Sequence, residues 1–250
     1  MSTITYKELK PAKEISEFVE RFWVLENLSD EEKELMVIPD GRVDIFYFCS
    51  ASESVQVVLM GLEAQPAKRV FKAKTRIFAI SLNLLAVEYL LKEKISGLIN
   101  NARLLPNSFW GIIEEDLENF DTFCAKASSA IKDRVNFKVD ERKRKLFELI
   151  YSSSGAYAVS DLSNSVFWTS RQINRYFNKQ FGIPLKTYCN ILRFKASLYD
   201  LKDGQIYPEG NFVDQAHFIK NVKKFSGVIP TELSKNKNDR FVQLSVLSRQ

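Results

Sequence analysis

The stretch VSDLSNSVFWTSRQINRYFNKQFG, residues 159–182, and its counterpart NFVDQAHFIKNVKKFSGVIP, residues 211–230, decide how this chain is read. Each holds a short helical segment opened by a capping residue, closed by glycine and basic on one face. In the first, Ser160 is placed to cap a short helix with Leu162 and Val166 facing inward. Phe167-Trp168-Thr169 makes a turn, and Ser170 is placed to cap a second helix ending at Phe181. Gly182 follows, as suits the left-handed position after a helix. Ile173, Phe177 and Phe181 share one face of that helix and form its packing stripe. Arg171, Arg175 and Lys179 share a largely opposite face, with Asn174 and Asn178 beside them. Arg and Asn are the side chains that pair bidentately with guanine and adenine edges in the major groove of DNA.

Working outward, the arrangement repeats. Pro184 opens a long helix through Tyr188, Leu192, Ala196 and Tyr199 to about Leu201, and Asp203-Gly204 ends it. From Leu185 to Leu201 such a helix spans roughly 26 Å. That is of the order of one DNA turn, about 34 Å, so it would place two reading helices along one DNA face. Asp214 caps the next helix, which runs to about Ser226 and stops at Gly227. Phe218, Val222 and Phe225 face the core, while Gln215, His217, Lys220, Lys223 and Lys224 lie outside or flank that stripe. Upstream, a helix from Asp140 to about Tyr151 supplies Leu146, Leu149 and Ile150 as an apolar face.

On these residues the region from about Val159 to Leu233 resembles the AraC family of transcription regulators, whose DNA-binding domain is two helix-turn-helix units joined by one long helix. The carriers are Ser170–Gly182, Pro184 with Tyr188, Arg193 and Ala196, then Phe212, Asp214 to Phe218, Lys223-Lys224, Gly227 and Pro230. The resemblance implies base contacts from Arg171, Asn174 and Arg175 on the first reading helix and from Gln215, Ala216, His217 and Lys220 on the second. Lys179, Lys186, Lys195, Lys223 and Lys224 are the expected phosphate contacts. The sequence departs from the family at two points. Gln205–Gly210, with Pro208 and Gly210, leaves little room for a regular first helix in the second unit, and Val222 stands where Phe is usual.

Charge supports a polyanionic partner. Residues 1–139 hold 18 Lys and Arg against 21 Asp and Glu, whereas residues 140–250 hold 18 against 10, so the two parts carry −3 and +8. Enzyme chemistry is short of parts. His217 is the single histidine, and Cys49, Cys124 and Cys189 are far apart with no Cys-x-x-Cys spacing, so no catalytic residue, metal site or cofactor is expected. DNA-repair alkyl transfer, the nearest enzymatic relative of such a module, needs an activated cysteine; Cys189 sits inside an amphipathic helix without a histidine partner. No apolar run reaches the roughly 18 residues of a membrane helix, and Met1 to Glu8 lacks a signal core, so the expectation is a cytoplasmic protein without a membrane partner.

The first third of the chain is rich in β-branched and aromatic residues. Strands are expected over residues 18–25, 35–38, 43–48, 55–59 and 70–82, with a turn at Pro39-Asp40-Gly41 and a short helix near Lys13 to Phe18. From Leu84 to about Arg134 the pattern turns helical. This part more weakly resembles the sensor-like domains that precede the AraC-type module, through Phe22-Trp23 and Ile38-Pro39-Asp40-Gly41. The resemblance implies a degraded β-barrel holding a small-molecule effector, with Arg42, Asp44 and Arg76 as candidate pocket groups. The helices of residues 84–133 could equally form a homodimer interface. The expected organisation is an α+β effector or dimerisation domain over 1–133, a linker at 134–139, and an all-α double helix-turn-helix domain over 140–250 with reading helices near 170–181 and 214–226. Double-stranded DNA is the expected partner.

Overall fold

A computed structural model describes residues 4–50, 53–206, 212 and 214–246. It divides into two units. One is built on a six-stranded sheet in the order β1-β2-β7-β4-β5-β8. Its strands are β1 (Ile4–Leu9), β2 (Val19–Asn27), β4 (Val43–Ser50), β5 (Gln56–Met60), β7 (Thr75–Leu82) and β8 (Ala102–Leu105). Neighbouring strands run antiparallel. Alternation explains the central strand: Val43, Ile45, Tyr47 and Cys49 are buried, and Asp44, Phe46, Phe48 and Ser50 between them are half-buried. The covered face meets α2 (Phe120–Lys132), whose Phe123 ring lies 5.3 Å from Phe78, 5.7 Å from Tyr47 and 6.4 Å from Phe22. Asn119 starts that helix by accepting the Thr122 N–H at 2.8 Å.

Among the described residues β1 and β8 stand at opposite edges, so the sheet is open and does not close into a barrel. The run read as one strand over 70–82 is two, β6 (Ala67–Phe71) and β7, because the chain turns at Lys74 with φ 49°. β6 pairs instead with β3 (Lys33–Val37) in a two-stranded ribbon. The helical run expected from Leu84 to about Arg134 is broken: the short α1 (Leu84–Tyr89) and α2 are separated by the strand β8. Residues 13–15 form only a 3-10 turn.

The second unit comprises Glu34–Gly41, Leu62–Arg69 and Asp140–Gln250. Two early segments therefore belong with the helices, which sequence order alone would assign to the first domain. Its helices are α3 (Glu141–Ser152), α4 (Val159–Val166), α5 (Ser170–Phe181), α6 (Leu185–Lys202), α7 (Gln215–Ser226), α8 (Pro230–Lys235) and α9 (Val242–Val246). The early segments are pinned to α6 and the C-terminal residues. Tyr188 Oη donates to the Gly41 carbonyl at 3.0 Å. Gln243 and Ile38 exchange hydrogen bonds at 3.1 and 2.8 Å, and Met36 N–H donates to Arg240 O at 2.6 Å. Pro39-Asp40-Gly41 is thus a docking turn rather than a plain hairpin bend.

Within this cluster Lys195 lies 3.9 Å from Asp40, and Arg69 3.3 Å from the Glu63 carboxylate. Burial pushes the Glu63 carboxyl up to about 7, against the pull of Arg69 and with the push of Asp40. The folded state therefore holds a proton over a range where the unfolded chain has released it. That contribution is full below the ordinary carboxylate range and is lost as pH rises through about 7. Glu63→Gln should flatten this slope, so that urea melts at about pH 5 and pH 8 separate the wild type but not the variant. Parallel pH dependence in both proteins would refute it.

Candidate nucleic-acid interface

The helix α5 is built to present one face. Thr169, one residue before the expected Ser170, is its cap: the Thr169 Oγ1 accepts the Gln172 N–H at 3.2 Å, and Gln172 Oε1 accepts the Thr169 N–H at 2.8 Å. This reciprocal box chooses between two adjacent capping types, because only Thr169 has Gln three residues on. Gly182 ends the helix at φ 80°. Ile173, Phe177 and Phe181 are fully buried. The Phe177 ring lies within 5.2–5.8 Å of Phe181, Tyr188, Phe147 and Tyr176, an aromatic knot that fixes the rotation of α5 about its axis. Arg171, Arg175, Asn178 and Lys179 consequently face outward. Asn174 is half-buried, and its amide donates back to Ser170 O at 3.0 Å, along its own helix.

Preceding it, α4 begins without a side-chain cap on Ala158, so Ser160 does not serve as the cap the sequence suggested. Phe167 closes α4 in the left-handed conformation at φ 54° and is 90% exposed.

The second helix, α7, repeats the plan. Asp214 caps it, its Oδ1 accepting the His217 N–H at 2.7 Å, and Gly227 ends it at φ 80°. Phe218, Val222 and Phe225 are buried, and the Phe225 ring lies tilted 5.5 Å from that of Phe194 on α6. Val222 is thus a core filler. Gln215, Ala216, Lys220, Lys223 and Lys224 are exposed. His217 is half-buried, its ring lies 5.7 Å from that of Phe212, and among the described residues its Nδ1, shut off from solvent, has no hydrogen-bond partner. The break read at Pro208 and Gly210 lies outside the described residues.

The expected phosphate contacts divide. Lys179, Lys186, Lys223 and Lys224 are exposed. Lys195 is not an open cation, since its side chain is 18% exposed and faces Asp40. Sequence reasoning missed a further group. The first turn of α3 brings Arg142 and Lys143 beside α5, where they line a groove of about 380 Å³ together with Trp168, Gln172, Arg175 and Lys179. Arg142 covers the Trp168 ring at 5.1 Å and Lys143 the Tyr176 ring at 5.0 Å. The signal available was the ERKRK run, residues 141–145, which reads as an ordinary solvated helix start until α3 is laid against α5.

The three effector candidates do not meet in one pocket. Arg42 is buried and bound to Glu20 at 2.8 Å. Asp44 accepts from Ser81 Oγ, which in turn accepts the Trp23 indole N–H at 2.9 Å. Arg76 donates to Glu118 O at 3.0 Å and lies over Phe78. Asp44 pairs with Ser81 on β7, and Ser81 is five residues from Arg76. An odd separation puts the two on opposite faces of the sheet, roughly 17 Å apart along the strand.

All three cysteines are buried and free. Burial pushes the thiols of Cys49 and Cys189 up to about 11 and that of Cys124 up to about 12. A thiol held protonated is a poor nucleophile. None should react with Ellman's reagent in the folded protein, and all should react after unfolding. One equivalent reacting promptly under native conditions would reopen an alkyl-acceptor role.

Among the described residues no helix is long and apolar enough to cross a membrane, and no group of three or more His, Cys, Asp or Glu could hold a metal ion. The model of a domain of unknown function, DUF6597, matches residues 7–113. No curated protein matches the chain. The solved structures similar to it include ToxT from Vibrio cholerae O395, 13% identical, with 99% of this chain and 100% of that chain covered and a TM-score of 0.44. An apo variant of ToxT from Vibrio cholerae strain SCE256 is 11% identical, with 94% and 98% covered and a TM-score of 0.44. ToxT from Vibrio cholerae O395 bound to (E)-4-(8-methylnaphthalen-1-yl)but-3-enoic acid is 13% identical, with 93% and 97% covered and a TM-score of 0.43.

Proposed function

We propose that the chain is a non-enzymatic, sequence-specific regulator of transcription that binds double-stranded DNA, reading the major groove with α5 and α7 under the control of a small-molecule effector. The observation that carries this reading is α5 itself. Its apolar stripe is locked into the aromatic knot around Phe177, leaving Arg171, Arg175 and Lys179 to point away from the core. The likeness of Val159–Leu233 to the AraC family supports it, as does the excess positive charge of residues 140–250. On α7 the base-reading role passes to Gln215, Ala216 and Lys220, with Ala216 limited to a thymine methyl. His217 shapes the helix start against Phe212.

The test is fluorescence anisotropy with labelled DNA from upstream of the protein's own gene and with a shuffled duplex, each titrated with salt. A preference of about a thousandfold or more for the natural DNA is expected. Arg175→Ala should then cost about 1–3 kcal/mol on the preferred site and relax one base position. Equal, salt-sensitive binding to both duplexes would instead favour a ligand- or protein-binding module with only non-specific DNA affinity.

A further inference from the structure

The groove between α3 and α5 carries four cations, Arg142, Lys143, Arg175 and Lys179, against one carboxylate, Asp140. That carboxylate is already committed. Its Oδ1 accepts the Arg142 N–H at 2.9 Å as the cap of α3, and its two oxygens take the Arg142 guanidinium in a fork at 2.8 and 3.2 Å. The guanidinium holds the Asp140 carboxyl below the usual range, with Lys143 adding to the effect, so this one carboxylate stays ionised and offsets one of the four positive charges. A net positive groove remains, with the N-terminal end of the 12-residue α3 adding its partial positive charge. The aromatic rings there do not offer stacking platforms, because Arg142 lies over Trp168 and Lys143 over Tyr176. Trp168 and Tyr176 themselves touch, with centroids 5.7 Å apart, so the two cations stand on one rigid wall. Such a site suits a ribose–phosphate chain rather than an exposed base. Its place beside the outward face of α5 continues the reading surface.

We propose that this groove seats the sugar–phosphate backbone of the DNA strand bordering the major groove that α5 reads, with Arg142 and Lys143 contacting its phosphates. The inference rests on the reading of α5 as a DNA-reading helix, and it assigns two contacts that lie on a different helix. It also divides the work of α5. Lys179 joins the phosphate clamp on the groove side, while Arg171 on the other side and Arg175 at the crest remain for base edges.

The test uses the full-length protein and two duplexes: one of random sequence, and one that the wild type enriches from a random pool. Affinity is measured against salt between about 50 and 200 mM. Removing both charges with Arg142→Gln and Lys143→Gln should flatten the salt slope by about 0.9 per cation on both duplexes and leave their affinity ratio unchanged. Lys143→Gln alone keeps the Asp140–Arg142 cap and should show half that effect in a protein that melts like the wild type. The charge-preserving pair Arg142→Lys and Lys143→Arg should restore most of the slope. An unchanged slope in the double variant overturns the proposal, as does a lost sequence preference with the slope intact. Saturable binding of adenosine monophosphate that the double variant abolishes, with the DNA slope unmoved, would assign the groove to a small anion and overturn it too. If the pool yields no preferred sequence, the base-reading role of α5 fails. The slope on the random duplex still decides the groove.

Discussion

Gly155→Ala should destabilise the helical unit by about 3 kcal/mol or more, making Gly155 among the least replaceable positions outside the aromatic core. Two costs combine there. Gly155 follows α3 with φ +75°, a left-handed conformation that costs an alanine roughly 1–2 kcal/mol. An added Cβ would also lie 2.5 Å from the Cys189 carbonyl oxygen and 2.8 Å from its Cα. Those atoms are backbone in the second turn of α6, held by its helical hydrogen bonds, so they cannot give way as the end of a flexible side chain would. Gly204 supplies the control. It has φ +83° but nothing within 4 Å of a Cβ, so Gly204→Ala should cost only the conformational part, about 1–2 kcal/mol. The comparison is read from urea denaturation, with hydrogen exchange of peptides from α3 to α6 reporting where the loss falls. Equal losses at the two positions would show that the approach of α3's end to α6 is not tight.

Gly155 also marks what a sequence can and cannot disclose. Its role as a helix stop is local and legible, as are Gly182, Gly227 and the Asp214 cap, because each follows from the few residues around it. The close approach to Cys189 is not local, and nothing in the sequence near Ser152-Ser153-Ser154-Gly155 announces it. The same holds for Ile38–Gly41. Its turn chemistry is visible, but its seat against Tyr188 and Gln243 joins residues about 150–200 positions apart. The edge strands β1 and β8 escape for a different reason: Leu9 and Leu104 are about half or more exposed, so neither strand shows the clean alternation of a half-buried one. The candidate site was legible where one helix carries both its packing stripe and its charges, as on α5. It was less legible where a side chain's neighbours come from elsewhere. Lys195 meets Asp40, and His217 meets Phe212 across the helix start. The groove lined by Arg142 and Lys143 was invisible because it depends on how the start of α3 meets α5.

Phe177→Ala should be the most damaging substitution on α5, costing about 3–5 kcal/mol although the residue touches nothing outside the core. Its ring is fully buried and meets rings from α3, α5 and α6, so truncation leaves a cavity whose walls are rigid aromatic faces with little freedom to collapse. Phe177→Leu refills part of that volume and should lose less. The effect on DNA binding should follow stability, and this separates Phe177 from its neighbour on the outer face. At a temperature where the wild type and Phe177→Leu are both folded, Phe177→Leu should lose affinity for preferred and shuffled DNA alike, through a smaller population of correctly rotated α5. Arg175→Ala should keep the wild-type melt and lose affinity chiefly on the preferred site. Calorimetry beside anisotropy distinguishes the two. A Phe177→Ala protein that melts like the wild type would mean that the aromatic knot does not hold α5. The rotation that points Arg171 and Arg175 away from the core would then need another cause.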